Sequence, residues 1–106
     1  MSYVVVAKFQ AKPESTSVLA ALIEKTAIES WQETGLLKYI LVSDPTQPEL
    51  FTLIEFFNTE ADYLLHRETA HLAAFRDAIT PLLAAAPEVV RGVPALAHLN
   101  SKAGIN

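Results

Sequence analysis

Apolar residues recur along this chain in two rhythms, one of strands and one of helices. From Tyr3 to Gln10 (YVVVAKFQ) β-branched and aromatic side chains fill nearly every position, the pattern of a strand buried on both faces. Lys12-Pro13-Glu14-Ser15 breaks it, and Ser15 or Thr16 can cap a following helix. That helix is predicted from about Ser15 to Thr34, with Val18, Leu19, Leu22, Ile23, Ala27 and Trp31 recurring at spacings of three and four, Trp31 as a packing anchor, and Gly35 as its left-handed stop. Leu36 to Ser43 and Glu49 to Phe57 read as two further strands, antiparallel because the loop Asp44-Pro45-Thr46-Gln47-Pro48 is short. Asn58 or Thr59 caps a helix through Ala61, Tyr63 and Leu64, and Thr69 caps another stretch through Leu72, Phe75 and Ile79. Leu82 to Ala86 is predicted as one more helical turn, and Glu88 to Leu99 contains a fourth strand, broken or kinked near Gly92-Val93-Pro94. Asn100 to Asn106 reads as a frayed tail.

The order is β-α-β-β-α-β, the split arrangement of ferredoxin-like α+β folds, here a single domain over residues 1–99. Helices can cover only one face of the four-stranded antiparallel sheet. Yet the strands carry apolar side chains on both: Val4 and Val6 oppose Tyr3, Val5, Ala7 and Phe9, while Leu50, Ile54 and Phe56 oppose Phe51, Leu53 and Phe57. A patch of that size implies a cover, and a homodimer joined through the sheet face supplies it, with the kinked fourth strand able to extend the contact by crossing to the partner.

Composition narrows the classes. With 106 residues, 51% hydrophobic and 19% charged, the chain is a globular domain and not a disordered segment. Its net charge of −4 is spread without any Lys or Arg run, so nucleic acid is not an expected partner. No apolar run nears the ~20 residues of a membrane span and Met1-Ser2-Tyr3 does not begin a signal peptide, so no membrane association and a cytoplasmic location are expected. There is no cysteine, which removes thiol catalysis and thiolate metal sites.

The segment from Glu55 to Phe75 (EFFNTEADYLLHRETAHLAAF) joins a strand ending in Glu-x-aromatic to a capped helix with an Ala, a His, a second His five residues on and then a Phe. In Glu55, Ala61, His66, His71 and Phe75 it resembles the antibiotic biosynthesis monooxygenase domain family. The opening VVVAKFQAKPE, the Thr34-Gly35-Leu36 turn and the Tyr39 strand with its Asp44-Pro45 loop extend the likeness over about residues 2–93. It departs at Phe57, where members often carry Trp. The resemblance implies a dimeric α/β barrel of ferredoxin-like subunits, each with an apolar cavity between sheet and helices. It also implies oxidation of quinols, anthrones or other phenols without metal or flavin, although relatives include an isomerase of quorum-signal breakdown and haem-degrading enzymes.

Oxygen reacts poorly with closed-shell molecules until a base makes an electron-rich substrate anion, and the base needs a dry pocket. His66 and His71 are the candidate bases. Tyr39 and Tyr63 are candidates for holding a phenolate oxygen, with Phe57, Glu55 and Phe75 completing the substrate-binding set. On an unbroken helix five residues separate the two histidines by roughly 140° at ~100° per residue; a break at Arg67-Glu68-Thr69 would turn both toward the cavity. Glu55, a carboxylate in an apolar strand, needs a partner: Arg76 or Arg91 as structural glue, or a histidine that it orients. Metal is disfavoured because His66 and His71 lack the i, i+4 spacing and His98 lies elsewhere. Haem ranks third, Phe57 standing where haem-degrading relatives use Trp, and isolated glycines disfavour nucleotides, so no cofactor is expected. Two further readings stay open: a non-catalytic dimeric domain binding a small apolar ligand, and an isomerase of a small hydroxyketone.

Overall fold

The computed structural model describes residues 2–95. It is an α+β fold: β1 (Tyr3–Gln10), α1 (Thr16–Ser30), β2 (Leu36–Asp44), β3 (Gln47–Phe57), α2 (Glu60–Arg67), α3 (Ala70–Ile79) and β4 (Glu88–Gly92), with the helices on one face of an antiparallel sheet ordered β2-β3-β1-β4. β1, the most apolar strand, takes the centre beside β3. Strand alternation does the rest. Ala7, Phe9, Phe51 and Leu53 face inward and meet Leu19, Ile23, Phe75 and Ile79 of the helices, while Val5 packs with Tyr3, Phe57 and Tyr63.

Among the described residues no helix covers the far face of the sheet, so β1 is buried on one face, while on the other Val4 and Val6 are half-buried and Lys8 and Gln10 exposed. Cross-strand register lines up Ile40, Ile54, Val6 and Val90 as one apolar row spanning all four strands. Its ends are open, with Ile40 44% and Val90 72% exposed.

Several boundaries differ from the sequence reading. A single 3-10 turn, Pro13–Ser15, precedes α1, and neither Ser15 nor Thr16 caps it; the Thr16 hydroxyl donates back to the Pro13 carbonyl at 3.1 Å. The buried stripe of α1 is Leu19, Ile23, Thr26, Ala27 and Ser30, which leaves Val18 and Trp31 outward, 51% and 59% exposed, so Trp31 anchors no packing. The helix stops at Ser30, not Thr34, and tight turns carry the chain from Trp31 to Leu36. Gly35 is not a left-handed stop. A Cβ there would collide with the side chain of Asp62, so it is a close approach between the turn and α2 that demands glycine.

The β2–β3 loop shrinks to Pro45-Thr46, because Asp44 Oδ1 accepts from the Thr46 backbone N–H and hydroxyl at 2.9 and 2.8 Å and closes the turn. Pro48 enters the strand near its start, a position that tolerates the missing donor. The last helical turn is Thr80–Leu82, not Leu82 to Ala86; Leu83 is already extended and bridges Ala11. β4 ends at Gly92. The remainder of the expected strand beyond Ala95, the segment imagined to cross to a partner, His98 and the tail lie outside the described residues. Among the described residues, no helix is long and apolar enough to cross a membrane.

Candidate functional site

The alternation that buries Phe51, Leu53 and Phe57 also carries Glu55 inward, leaving this carboxyl residue 5% exposed. Register sets Tyr39 of β2 directly opposite it. Above them, Tyr63 and His66 lie three residues apart on α2 and so share its inward side. The His66 residue is 2% exposed, its ring 5.3 Å from Phe57 and 5.9 Å from Tyr39.

The histidines meet because the second helical segment is broken. Thr59 and Asp62 form a reciprocal capping box that starts α2. After Arg67 the chain leaves the helix, and Thr69 restarts it: the Thr69 hydroxyl donates to the His66 carbonyl at 2.8 Å and accepts from the Leu72 N–H at 3.3 Å. The break brings His71 beside His66, ring centres 6.2 Å apart. Between them stands Glu33, from the turn after α1. Both its oxygens are 2.9 Å from His66 Nδ1, and Oε2 is 2.8 Å from His71 Nε2. A carboxylate only accepts, so each of these nitrogens carries the proton that it donates. In neutral His66 the lone pair is therefore on Nε2, and Nε2 faces Glu55 Oε1 at 3.6 Å, too far for a direct hydrogen bond.

Burial sets the proton positions. It pushes the Glu55 carboxyl up to about 8, with the negative charge of Glu33 adding to the effect. Burial lowers His66 below the ordinary imidazole value despite the opposing pull of Glu33, and the charges of His71 and Arg76 lower it further. Tyr39 is raised by burial and then by Glu55, so its phenol stays protonated. At neutral pH the site thus holds a protonated carboxyl beside an unprotonated imidazole nitrogen. Ser30 Oγ, also buried, has no hydrogen-bond partner within bonding geometry among the described residues.

These groups open onto a cavity of about 420 Å³ between the sheet and α2–α3. Tyr39, Glu55, Tyr63, His66 and Phe75 line it together with apolar residues of β1 and β3. Phe57 does not: it is wholly buried behind His66 and Tyr63, a wall for the imidazole and not for a ligand. His71 also stays outside the lining and meets the site through Glu33. The pairing of Glu55 with Arg76 or Arg91 does not form; the Glu55 carboxyl instead faces the Nε2 of His66. Sequence reasoning missed Glu33, whose only signal was a carboxylate two residues before Gly35. It also gave Arg67, Arg76 and Arg91 no place in the cavity, though all three line it.

The spacing argument against metal is corrected as well. One donor atom each from Glu33, His66 and His71 lie within 4.8 Å of one another, a set that suits a divalent cation. The α2–α3 break makes five-residue spacing irrelevant, and the third donor comes from another element. The same three groups satisfy one another by hydrogen bonds.

A family model described as antibiotic biosynthesis monooxygenase matches residues 2–78. No curated protein matches the chain. Among solved structures, a Nitrosomonas europaea protein bearing the same family name is 24% identical with a TM-score of 0.83, covering 86% of this chain and 88% of its own. Rv0793 from Mycobacterium tuberculosis is 23% identical with a TM-score of 0.86, over 93% and 99%. A Deinococcus radiodurans protein, also bearing the family name, is 21% identical with a TM-score of 0.83, over 91% and 95%. At such identities these likenesses establish a common fold.

Proposed function

The chain belongs to the antibiotic biosynthesis monooxygenase family, and from that premise we propose that it is a cofactor-independent monooxygenase of a small quinol, anthrone or phenol. The observation that carries this reading is the contact of Glu33 with His66 Nδ1, which leaves Nε2 as a base at the wall of an apolar cavity. His66 Nε2 takes the proton of the substrate hydroxyl or enol. The resulting anion gives one electron to O₂, the radical pair closes a C–O bond, and the peroxide anion takes the proton back from His66 Nε2 to become a hydroperoxide. His66 Nε2 then removes the hydrogen on that carbon as a proton, the C–H electrons form the carbonyl and the O–O bond breaks; Glu55, a protonated carboxyl next to His66, supplies the proton with which the hydroxide leaves as water, and the proton on His66 restores Glu55. One oxygen atom enters the product and the other leaves as water. Both electrons come from the substrate, so no outside reductant is required. Tyr39, held protonated, and Tyr63 orient the substrate oxygen, while His71 holds Glu33 in place.

Oxygen uptake by metal-stripped protein against naphthoquinols and anthrones tests this. His66→Gln is expected to lower the rate by about 10²–10⁴-fold, the usual contribution of a general base. Uptake that EDTA abolishes and a divalent cation restores would instead move the chemistry onto Glu33, His66 and His71 as ligands. A second reading is favoured by the same Glu55–His66 pair, a proton donor and an acceptor 3.6 Å apart: isomerisation of a small hydroxyketone. It requires turnover under nitrogen, which the monooxygenase excludes.

The open sheet face supports a homodimer, since the row Ile40-Ile54-Val6-Val90 is apolar from edge to edge.

A further inference from the structure

The chain has eight basic residues, of which three are arginines, against twelve acids. All three arginines line the one cavity that holds His66 and Glu55, although they come from three elements: Arg67 ends α2, Arg76 is on α3 and Arg91 on β4. None of the described lysines lines it. Among the described residues, no carboxylate lies within ion-pair distance of any of the three guanidinium groups; the ion pairs found there all join His66 or His71 to Glu33 or Glu55.

The heads are held by contacts that leave their charge uncompensated. Arg91 and Arg67 both approach the Tyr63 ring, at 5.2 and 6.0 Å, and Arg76 Nη2 donates to the Arg67 carbonyl at 3.3 Å. Gathering like charges around one ring and one helix corner costs free energy unless an anion sits among them. The cavity's own carboxyl does not serve, since Glu55 is uncharged at neutral pH. Guanidinium forks fit carboxylate and phosphate oxygens in pairs, which separates this set from a scatter of surface lysines.

We propose that the substrate carries an anionic group, a carboxylate or a phosphate, which Arg67, Arg76 and Arg91 bind at the exposed side of the cavity while its ring lies in the apolar interior beside His66. This substrate class rests on the cavity being the reaction site proposed above, but the two fail separately, because binding needs no turnover.

The test is calorimetric titration with matched pairs: 1-hydroxy-2-naphthoate against 1-naphthol, and naphthyl phosphate against the same naphthol. The anionic members are expected to bind at least tenfold more tightly and to weaken as ionic strength rises. Arg67→Gln, Arg76→Gln and Arg91→Gln should each weaken them about five- to tenfold while leaving naphthol unchanged. Arg76→Lys, which keeps the charge and loses the fork, should fall between. Lys12→Gln, an exposed cation outside the cavity, should change nothing. The carboxylate and phosphate arms identify which anion fits better. Equal affinity of anion and naphthol, binding of neither, or anion binding indifferent to all three Arg→Gln variants would overturn the assignment. Intact anion binding without oxygen uptake would overturn the monooxygenase reading alone.

Discussion

Glu55→Gln removes one ionisable group from the cavity and keeps its shape. The folded protein releases the Glu55 proton at about 8, against an ordinary value of 4.5 that the unfolded chain recovers. Between those limits the unfolded state has lost the proton while the folded state holds it, so wild-type stability falls as pH rises from about 4.5 to about 8. The full linkage is roughly 4–5 kcal/mol at 1.36 kcal/mol per pKa unit. Water entering a cavity of 420 Å³ solvates part of the ionised carboxylate, which brings the expected loss to about 2–4 kcal/mol. His66 acts in the opposite sense: its depressed pKa makes stability fall as pH drops through the ordinary imidazole range, because the unfolded chain then takes up a proton that the folded chain resists. That limb is common to both proteins, so their difference isolates Glu55.

Urea denaturation followed by far-UV circular dichroism at pH 5, 6, 7 and 8, at one protein concentration, measures the difference. Glu55→Gln should gain on the wild type steadily across that window and be about 2–4 kcal/mol ahead, relative to pH 5, by pH 8. A constant offset between the proteins would reflect only the amide's altered hydrogen bonding. Parallel curves would refute the reasoning, since Glu55 would then be ionised throughout and could not act as the proton donor beside His66.

The same two groups are expected to shape the pH dependence of the proposed reaction. The rate should rise with pH through a limb below the usual histidine range, where His66 Nε2 becomes free, and fall through one near 8 as Glu55 ionises, and Glu55→Gln should erase only the second limb of a kcat profile. Gly35→Ala should displace Asp62, open the capping box with Thr59 and lower stability by about 1–3 kcal/mol, read as a drop in thermal midpoint; an unchanged midpoint would mean the turn shifts freely. The wild type is expected to sediment as a dimer in analytical ultracentrifugation and Ile54→Lys, which sets a charge in the middle of the open apolar row, as a monomer; a monomeric wild type would refute the proposed dimer and a dimeric variant would relocate its interface.

The fold was legible because its signals are local and redundant. The β-branched and aromatic runs of β1 and β3 and two cap residues, Thr59 and Thr69, each survive a misjudged neighbour, although β1 proves buried on one face and not on both. The errors fell where two signals competed. In α1 the apolar residues run on to Trp31 and no breaker comes before Gly35, so periodicity alone extends the helix; the structure ends it at Ser30 and turns Trp31 outward. In the β2–β3 loop two prolines suggested a longer connection than the Asp44–Thr46 turn requires.

The site was legible only residue by residue, because its geometry is fixed between elements. Tyr39, Glu55 and His66 each stand out as polar or aromatic groups in apolar surroundings, and the cavity gathers them. Whether the two histidines meet depends on the direction in which α3 leaves the break, and a capping residue marks a restart without setting its angle. Glu33 is harder still. It sits in a turn that the helix periodicity had absorbed, so nothing in the chain points it at residues 33 and 38 positions away. Yet Glu33 decides the chemistry: with it, His66 must carry its proton on Nδ1 and offer Nε2 to the cavity, and without it either nitrogen could. A candidate base read from the sequence therefore gains a direction only when the turn after α1 is in place.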